Sequence, residues 1–217
     1  QENIQKIVAE KGFKRSQIQI LDALLKLRQV CCHPSLLKLD SVKTGQAHSA
    51  KLEQLMDMVV PMVEEGRKIL IFSQFTSMLE LIEQQLHHAE IGYVKLTGKT
   101  KKRDEVITAF QSGQVPVFLI SLKAGGVGLN LTAADTVIHY DPWWNPAAED
   151  QASDRAWRIG QDKPVFVYKL ITNKSIEEKI LALQQNKAEL AHSILSTDHE
   201  GEAKLTENDV MNLFEKF

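Results

Sequence analysis

Short apolar runs alternate with amphipathic segments through most of the chain. Runs rich in β-branched and aromatic residues occupy residues 68–72, 92–96, 115–121, 135–140 and 164–171. After four of these runs apolar residues recur at helical spacing, and a glycine-rich stretch follows the third. Strands that alternate with helices form βαβ units. The pattern therefore predicts an α/β fold, with a parallel sheet of about five strands and helices on both faces.

Two helices are predicted before the first strand. Residues 16–31 have the spacing of an amphipathic helix, which ends at a His-Pro pair because the residue before a proline avoids the helical region. A polar linker at residues 40–48 precedes the second helix, which Ser49 caps and Gly66 ends. Pro61 lies inside this second helix and predicts a kink or a break.

These elements divide the chain into three parts. We expect a helical segment and linker at residues 1–48, the α/β domain at residues 49–172, and a long helix with an amphipathic tail at residues 173–217. Because the chain begins with Gln1, we also expect it to be a fragment of a longer protein.

Composition and charge exclude several classes of protein. Hydrophobic residues make up 43% of the chain and charged residues 25%, as in an ordinary globular domain. No apolar run is long enough to cross a membrane, and the amino terminus lacks the apolar core of a signal peptide. A net charge of −2 excludes the global basic field of many nucleic-acid-binding proteins, although basic residues cluster between Lys95 and Arg103.

The two cysteines, Cys31 and Cys32, are adjacent in the sequence CCHP. Adjacent cysteines do not form an ordinary disulfide, and with His33 they lack the second ligand pair of a zinc site. We therefore expect a buried structural role for them and no metal site. The low disulfide potential fits a reducing compartment.

The sequence YVKLTGKT raises the possibility of a nucleotide-binding phosphate loop. Such a loop has the pattern G-x-x-x-x-G-K-[ST], in which the residues between the glycines supply N–H groups to the phosphates. With Gly98 as the second glycine, the first would be at position 93, which is Tyr93. The residues between read as a strand, so the pattern excludes a phosphate loop here.

The loops at the carboxyl ends of the strands are the expected functional edge of such a sheet. Ser73 and Gln74 leave the first strand at a helix start, where hydroxyl and N–H groups suit an anion such as a nucleic-acid phosphate. Simple capping by Thr76 or Ser77 is an equal alternative. Three basic residues follow TGKT at a predicted helix start, where the helix dipole favours acidic side chains. They indicate that a bound polyanion supplies the negative charge, and a solvated helix start is the alternative.

Two later loops carry stronger signals. Gly125, Gly126 and Gly128 permit close approach of a ligand to the backbone, although a flexible turn also explains them. Further on, Gln151, Arg155 and Arg158 share one face of a predicted helix, because Arg155 lies four residues after Gln151 and Arg158 three residues after Arg155. Paired guanidinium groups neutralise the charge that develops in phosphoryl transfer, and surface salt bridges are the alternative.

Together these motifs resemble the Swi/Snf family of DNA-translocating ATPases in helicase superfamily two. The resemblance is carried by QASDRAWRIGQ, SLKAGGVGLNLTAADTVIHYDPWWNP, ILIFSQFTSMLELI and LDALLKLRQVCCHPSLL, and covers residues 16–195. It implies a RecA-like carboxyl-terminal motor lobe with flanking helices, one of which begins at Ser175 and braces the lobes. ATP and Mg²⁺ would be held mainly by a missing amino-terminal RecA-like lobe of the same protein, and duplex DNA would lie across both.

The resemblance also implies roles for single residues. Arg155 and Arg158 match the arginine fingers of the family. Positions that match the ATP cleft are Gln151, Gly128 and Asn130, and those that match the coupling of hydrolysis to movement are Trp144 and Asn145. Positions that match DNA contacts are Ser73, Gln74, Gly98, Lys99, Lys123, Gly125 and Gly126. The chain departs from the usual family residues at Leu122, Lys123 and Trp157.

The expected function is a DNA-dependent ATPase in the full-length protein, with this fragment alone inactive and monomeric, and with no membrane association. A non-catalytic interaction module with the same fold is the alternative from another class. A self-contained kinase or GTPase conflicts with the spacing of residues before Gly98. An RNA-unwinding relative is disfavoured by the sequences of motifs V and VI. Because the expected motor moves along DNA, we expect it either in the bacterial cytoplasm, at the nucleoid, or in a nucleus.

Overall fold

The computed structural model describes residues 12–33, 36, 49–121, 129–142, 163–172 and 175–186. Its helices and strands, in chain order, are α1 (Phe13–Cys32), α2 (Ala50–Glu64), β1 (Ile69–Ser73), α3 (Thr76–His88), β2 (Tyr93–Leu96), α4 (Arg103–Gln111), β3 (Val117–Ser121), β4 (Thr136–His139), β5 (Phe166–Lys169) and α5 (Ile176–Asn186). The strands form one sheet in the order β2-β3-β1-β4-β5, and every neighbouring pair is parallel. The predicted parallel α/β fold is therefore confirmed.

The three central strands are predominantly apolar because both faces of the sheet are covered. Every residue of β1, β3 and β4 is buried, with Ile71 of β1 paired to Leu119 on one side and Ile138 on the other. The edge strands β2 and β5 each contain a lysine, and β5 is largely exposed. Burial on both faces is the general reason that parallel strands lack the alternation of polar and apolar residues.

Alternate strand residues feed two separate cores. On one face, the side chains of Ile71 and Leu119 pack with residues of α2 and α3 such as Leu55 and Leu79. On the other face, the side chains of strand residues such as Phe118 pack with Phe110 of α4. Helices therefore cover both faces, as the sequence predicts.

The ends of α2 follow the predicted signals, and its middle does not. The Ser49 hydroxyl accepts a hydrogen bond from the N–H of Leu52 (3.3 Å), and Gly66 ends the helix with a φ of 82°. The predicted break at Pro61 is wrong, since α2 runs through it to Glu64. The proline is exposed and lies in the last turn, where the loss of one helical N–H disturbs little of the helix.

Side chains from three other parts of the fold capture the last carbonyl groups of α1. The Cys32 carbonyl accepts hydrogen bonds from the Tyr140 hydroxyl (2.8 Å) and the Ser49 hydroxyl (3.1 Å). The Cys31 carbonyl accepts one from the Thr172 hydroxyl (3.4 Å). These contacts satisfy carbonyls that have no partner within the helix and fix α1 to the sheet. Cys32 is fully buried, as expected for a structural cysteine, and burial raises the pKa of its thiol.

A buried ion pair joins α2 to α5. The Lys51 ammonium lies 2.6 and 2.8 Å from the two carboxylate oxygens of Glu177, and the two side chains are 5% and 1% exposed. The same ammonium lies 5.0 Å from the centroid of the Tyr140 ring. One Glu177 oxygen also accepts the N–H of Thr172 (3.0 Å), so the buried charges are hydrogen-bonded on several sides. No helix of the described part of the chain is long and apolar enough to cross a membrane.

Replacing Lys51 with methionine should destabilise the protein strongly because it leaves the Glu177 carboxylate buried without its cation. We expect the free energy of unfolding, measured by urea denaturation, to fall by about 3 to 5 kcal/mol. The double variant Lys51→Met/Glu177→Leu should recover most of that loss. The control is Asp22→Asn, which breaks the exposed pair with Lys26 (2.8 Å) and should cost less than about 1 kcal/mol. Equal losses for Lys51→Met and Asp22→Asn would contradict the prediction.

Candidate functional site at the carboxyl edge of the sheet

Because all described strands are parallel, their carboxyl ends meet at one edge of the sheet. Ser73, the last residue of β1, is paired with Ser121, the last residue of β3. The described residues at this edge are Ser73–Phe75, 97–102, Ser121 and Tyr140–Pro142, and we call them the strand-end edge. Polar residues are concentrated here, as expected for the functional edge of such a fold.

The carboxylate of Asp141 is buried at the centre of the strand-end edge. Its two oxygens accept hydrogen bonds from the Ser73 hydroxyl (2.5 Å) and from the N–H of Gln74 (3.0 Å). Burial raises the pKa of Asp141 to about 6, against the effect of the Ser73 and Gln74 hydrogen bonds and of Lys51, which lower it. The residue was missed in the sequence, where the Asp-Pro pair reads as a simple turn.

Ser73 lies behind the surface of this edge. It is 0% exposed, and its oxygen also accepts the N–H of Phe75 (3.2 Å) at the start of α3. That helix starts after Phe75, which makes no side-chain capping bond, so capping by Thr76 or Ser77 is wrong. The Ser73 side chain thus contacts Asp141 and the start of α3, and its predicted contact with DNA stays a prediction.

The side chain of Gln74 links two other parts of the fold. Its amide oxygen accepts a hydrogen bond from Nη2 of Arg28 on α1. Its amide nitrogen donates to the carbonyl of Pro142 (2.9 Å). Gln74 is half-buried and reaches the surface of the edge, so the predicted contact with DNA stays a prediction for this residue.

The TGKT stretch forms a compact turn that satisfies its own N–H groups. The N–H of Thr97 donates to the Thr100 hydroxyl (2.9 Å), and the N–H of Thr100 donates back to the Thr97 carbonyl (3.1 Å). The N–H of Lys99 donates to the Thr97 hydroxyl (3.3 Å). Since these N–H groups are occupied, the turn does not form the open cradle of a phosphate loop. Gly98 and the Lys99 side chain are exposed.

A groove of about 470 Å³ opens beside this turn. It is lined by the Thr97–Thr100 turn together with Gln74, Thr76, Glu80, Lys95 and Ser121. The Ser121 hydroxyl is buried and makes no hydrogen bond within the described part of the chain. A buried hydroxyl without a partner is costly, so its position at a polar groove indicates a ligand or water partner. The signal that could have revealed Ser121 is its place at the end of a buried strand, level with Ser73.

The charges around the groove are mixed. Lys95 pairs with Glu83 (2.6 Å), whereas Lys99 and Lys101 are exposed. Lys102 precedes the first residue of α4 and lies 3.6 Å from Glu105. The groove thus combines exposed ammonium groups and hydroxyls, a combination that suits the phosphates of a polyanion.

Most of the predicted ATP-cleft and coupling residues lie outside the described residues, and their predicted roles stay predictions. They are Gly128, Trp144, Asn145, Gln151, Arg155 and Arg158. The predicted DNA-contact residues Lys123, Gly125 and Gly126 and the departures Leu122 and Trp157 also lie outside the described residues. Asn130 is described, and it is exposed directly after the buried Leu129. Within the described ranges, no group of three His, Cys, Asp or Glu residues could hold a metal ion.

The fold and this edge define a class of protein: a RecA-like α/β lobe whose strand-end loops carry the polar groups. A family model described as "Helicase conserved C-terminal domain" matches residues 50–160. The chain belongs to this family and is a carboxyl-terminal lobe of the Swi/Snf type.

Named relatives agree with this assignment. The chain is 39% identical over 192 residues to the "Putative ATP-dependent helicase/translocase YwqA" of Bacillus subtilis, covering 87% of this chain and 21% of that protein. It is 37% identical over 198 residues to the "ISWI chromatin-remodeling complex ATPase ISW1" of Saccharomyces cerevisiae, covering 85% and 17%. The chain thus spans about a fifth of the length of these relatives.

Solved structures of the same family are similar along the whole chain. The "Sulfolobus solfataricus SWI2/SNF2 ATPase core in complex with dsDNA" is 34% identical with a TM-score of 0.78, covering 100% of this chain and 46% of that one. The "Sulfolobus solfataricus SWI2/SNF2 ATPase C-terminal domain" is 34% identical with a TM-score of 0.71, covering 100% and 90%. The second match corresponds to nearly the whole of a separately solved lobe.

Replacing Asp141 with asparagine should change how stability depends on pH. The carboxyl has a pKa of about 6 in the folded protein and 3.8 as its ordinary value. Between these values the folded state binds more protons than the unfolded state, so the free energy of unfolding falls as pH rises. The variant lacks this contribution, and the difference, wild type minus variant, should fall by about 3 kcal/mol from about pH 3.5 to about pH 6.5.

Urea denaturation across this pH range provides the measurement. His139, whose pKa burial and Lys169 lower to about 3, contributes with the opposite sign, but it is present in both proteins and cancels in the difference. Asp57→Asn, at an exposed carboxylate on α2, controls for the loss of one negative charge. If the difference in the free energy of unfolding stays constant or rises with pH, the pKa of Asp141 is not raised in the folded protein.

Proposed function

We propose that this chain is the second motor lobe of an ATP-dependent duplex-DNA translocase. The observation that carries the proposal is the match along the whole chain to a Swi/Snf ATPase core in complex with double-stranded DNA. The relatives named as ATP-dependent helicases and a remodelling ATPase support the same enzyme class. In the full-length protein the lobe would close over ATP that an amino-terminal lobe holds, and the isolated lobe would be inactive.

The groove at the strand-end edge is the proposed contact with the DNA backbone. Lys99 offers an exposed ammonium, and Gln74 offers an amide within the groove walls. Ser121 offers a hydroxyl that makes no hydrogen bond within the described residues. Such groups bind phosphate oxygens and fix the register of a protein on a duplex without reading its sequence. Lys123, Gly125 and Gly126 would extend this contact from the loop that follows Ser121.

The ATP cleft is proposed to receive its charge-neutralising groups from Arg155 and Arg158. Gln151, Gly128 and Asn130 would face the nucleotide beside them, and Mg²⁺ would be held mainly by the other lobe. Guanidinium groups stabilise the charge that spreads over the transferring phosphoryl group. Trp144 and Asn145 would couple hydrolysis to movement, and they lie two and three residues after Pro142, whose carbonyl is bound by Gln74.

Replacing Arg158 with alanine in the full-length protein tests the catalytic part of the proposal. We expect the DNA-stimulated ATP turnover to fall about a thousandfold because the transferring phosphoryl group loses its arginine finger. Arg67→Ala is the matched control, since Arg67 lies before β1, at the opposite edge of the sheet. Unchanged turnover in Arg158→Ala would refute the arginine-finger assignment. Absence of turnover in the wild type would favour a non-catalytic interaction module.

Replacing Lys99 with alanine tests the DNA contact. Loss of one phosphate contact releases one counterion fewer, so the slope of log affinity against log salt should become shallower by about 1. Fluorescence anisotropy with labelled duplex DNA at several salt concentrations measures this slope. Lys26→Ala, at an exposed lysine on α1, should leave it unchanged. If both variants have the wild-type slope, Lys99 does not contact the backbone, and tighter binding of duplex RNA would favour an RNA motor.

A further inference from the structure

Arg28 is a buried charge on a helix that lies outside the sheet. It is 3% exposed, near the carboxyl end of α1, and the proposed motor chemistry does not use it. Its Nη2 donates to the amide oxygen of Gln74, which is 46 residues away in the sequence. Its guanidinium carbon lies 5.4 Å from the centroid of the Phe75 ring. Burial of an arginine costs free energy, and an apolar residue in the same place would not make the hydrogen bond to Gln74. This hydrogen bond therefore indicates the role of Arg28.

The contact selects one orientation of the Gln74 side-chain amide. A guanidinium only donates hydrogen bonds, so it must face the amide oxygen and not the amide NH₂ group. With the oxygen turned towards Arg28, the amide nitrogen is directed to the Pro142 carbonyl, to which it donates at 2.9 Å. The Gln74 N–H is held separately by the Asp141 carboxylate (3.0 Å). Gln74 is thus fixed at both its backbone and its side chain.

We propose that Arg28 is a positioning residue, through which α1 sets the orientation of Gln74 at the DNA groove and of the backbone at Pro142. This inference rests on the proposed function, since it assumes that Gln74 faces DNA. Arg28 itself does not touch the DNA. It acts through Gln74, whose side chain lies between Arg28 and the Pro142 carbonyl and also lines the groove.

Lysine cannot replace arginine in this role. The guanidinium donates to the Gln74 amide oxygen while its central carbon lies over the Phe75 ring. A lysine keeps the charge near Asp141 but has neither a planar face nor a fixed direction for its donors. Arg28→Lys therefore separates the positioning role from simple neutralisation of the buried carboxylate.

The test is a double-variant cycle on DNA affinity with the full-length protein. Dissociation constants for labelled duplex DNA are measured by fluorescence anisotropy for wild type, Arg28→Lys, Gln74→Ala and the double variant. We expect each single variant to bind DNA about fivefold more weakly than the wild type. Because both residues act through the same contact, the double variant should have about the same dissociation constant as the single variant with the larger effect. In an ATPase titration with DNA, the DNA concentration that gives half-maximal stimulation should rise for Arg28→Lys by about the same factor as the dissociation constant.

Arg67→Lys is the matched control for this cycle. Arg67 also lies over a phenylalanine ring, with its guanidinium carbon 5.0 Å from the centroid of Phe166, but at the far edge strand β5. Arg67→Lys should leave the dissociation constant of the wild type unchanged, and adding it to Gln74→Ala should leave the dissociation constant of Gln74→Ala unchanged. Effects of Arg28→Lys and Gln74→Ala that multiply, or wild-type affinity in Arg28→Lys, would overturn the inference.

The two proposals fail in distinguishable ways. A wild-type protein that binds duplex DNA but does not hydrolyse ATP would remove the motor function, while the cycle on DNA affinity would still decide the role of Arg28. A wild-type protein that does not bind duplex DNA would overturn both. A Gln74→Ala variant with wild-type affinity would overturn the inference and leave the motor proposal standing.

Discussion

The buried carboxylate of Asp141 is the group around which the functional edge is organised. A carboxylate inside a protein needs hydrogen-bond donors, and here they come from the Ser73 hydroxyl and the Gln74 N–H at the end of the neighbouring strand. The chain leaving β4 is therefore tied to the chain leaving β1. Because α3 starts three residues after Ser73, the direction of that helix depends on the same carboxylate. Central strands and surface loop are thereby joined through one charge.

A second set of buried polar contacts brings the flanking helices to the same end of the sheet. Tyr140, directly before Asp141, donates its hydroxyl to the last turn of α1 and lies beneath the Lys51 ammonium. Lys51 in turn binds Glu177 on α5. The flanking helices are therefore held by directional bonds near the site and not only by apolar packing. Directional bonds between buried charges specify one arrangement more strictly than apolar contacts of equal area.

The sequence predicts the elements of this fold well and their polar contacts poorly. Burial on both faces makes β1 and β3 into uninterrupted apolar runs, which can be recognised locally, and the Ser49 cap is a local signal too. The partners of Gln74 and Asp141 lie 46 to 68 residues away in the sequence. Hydrophobic periodicity records which face of an element is buried, but not which distant group satisfies a polar side chain. For that reason the Ser73 hydroxyl was expected to point towards a ligand, whereas it points inward.

In the proposed translocase, the TGKT turn would contact DNA as a loop that resembles a phosphate loop without being one. An open cradle of N–H groups loses strong hydrogen bonds when its anion leaves, so it holds nucleotides tightly. In this turn the N–H groups of Thr97, Lys99 and Thr100 are satisfied internally, whether or not a ligand is bound. What remains for the ligand is an exposed ammonium, whose attraction is screened by salt within about 8 to 10 Å. A motor that steps along DNA must release each phosphate as readily as it binds the next, and a screened charge on a self-contained turn permits that release.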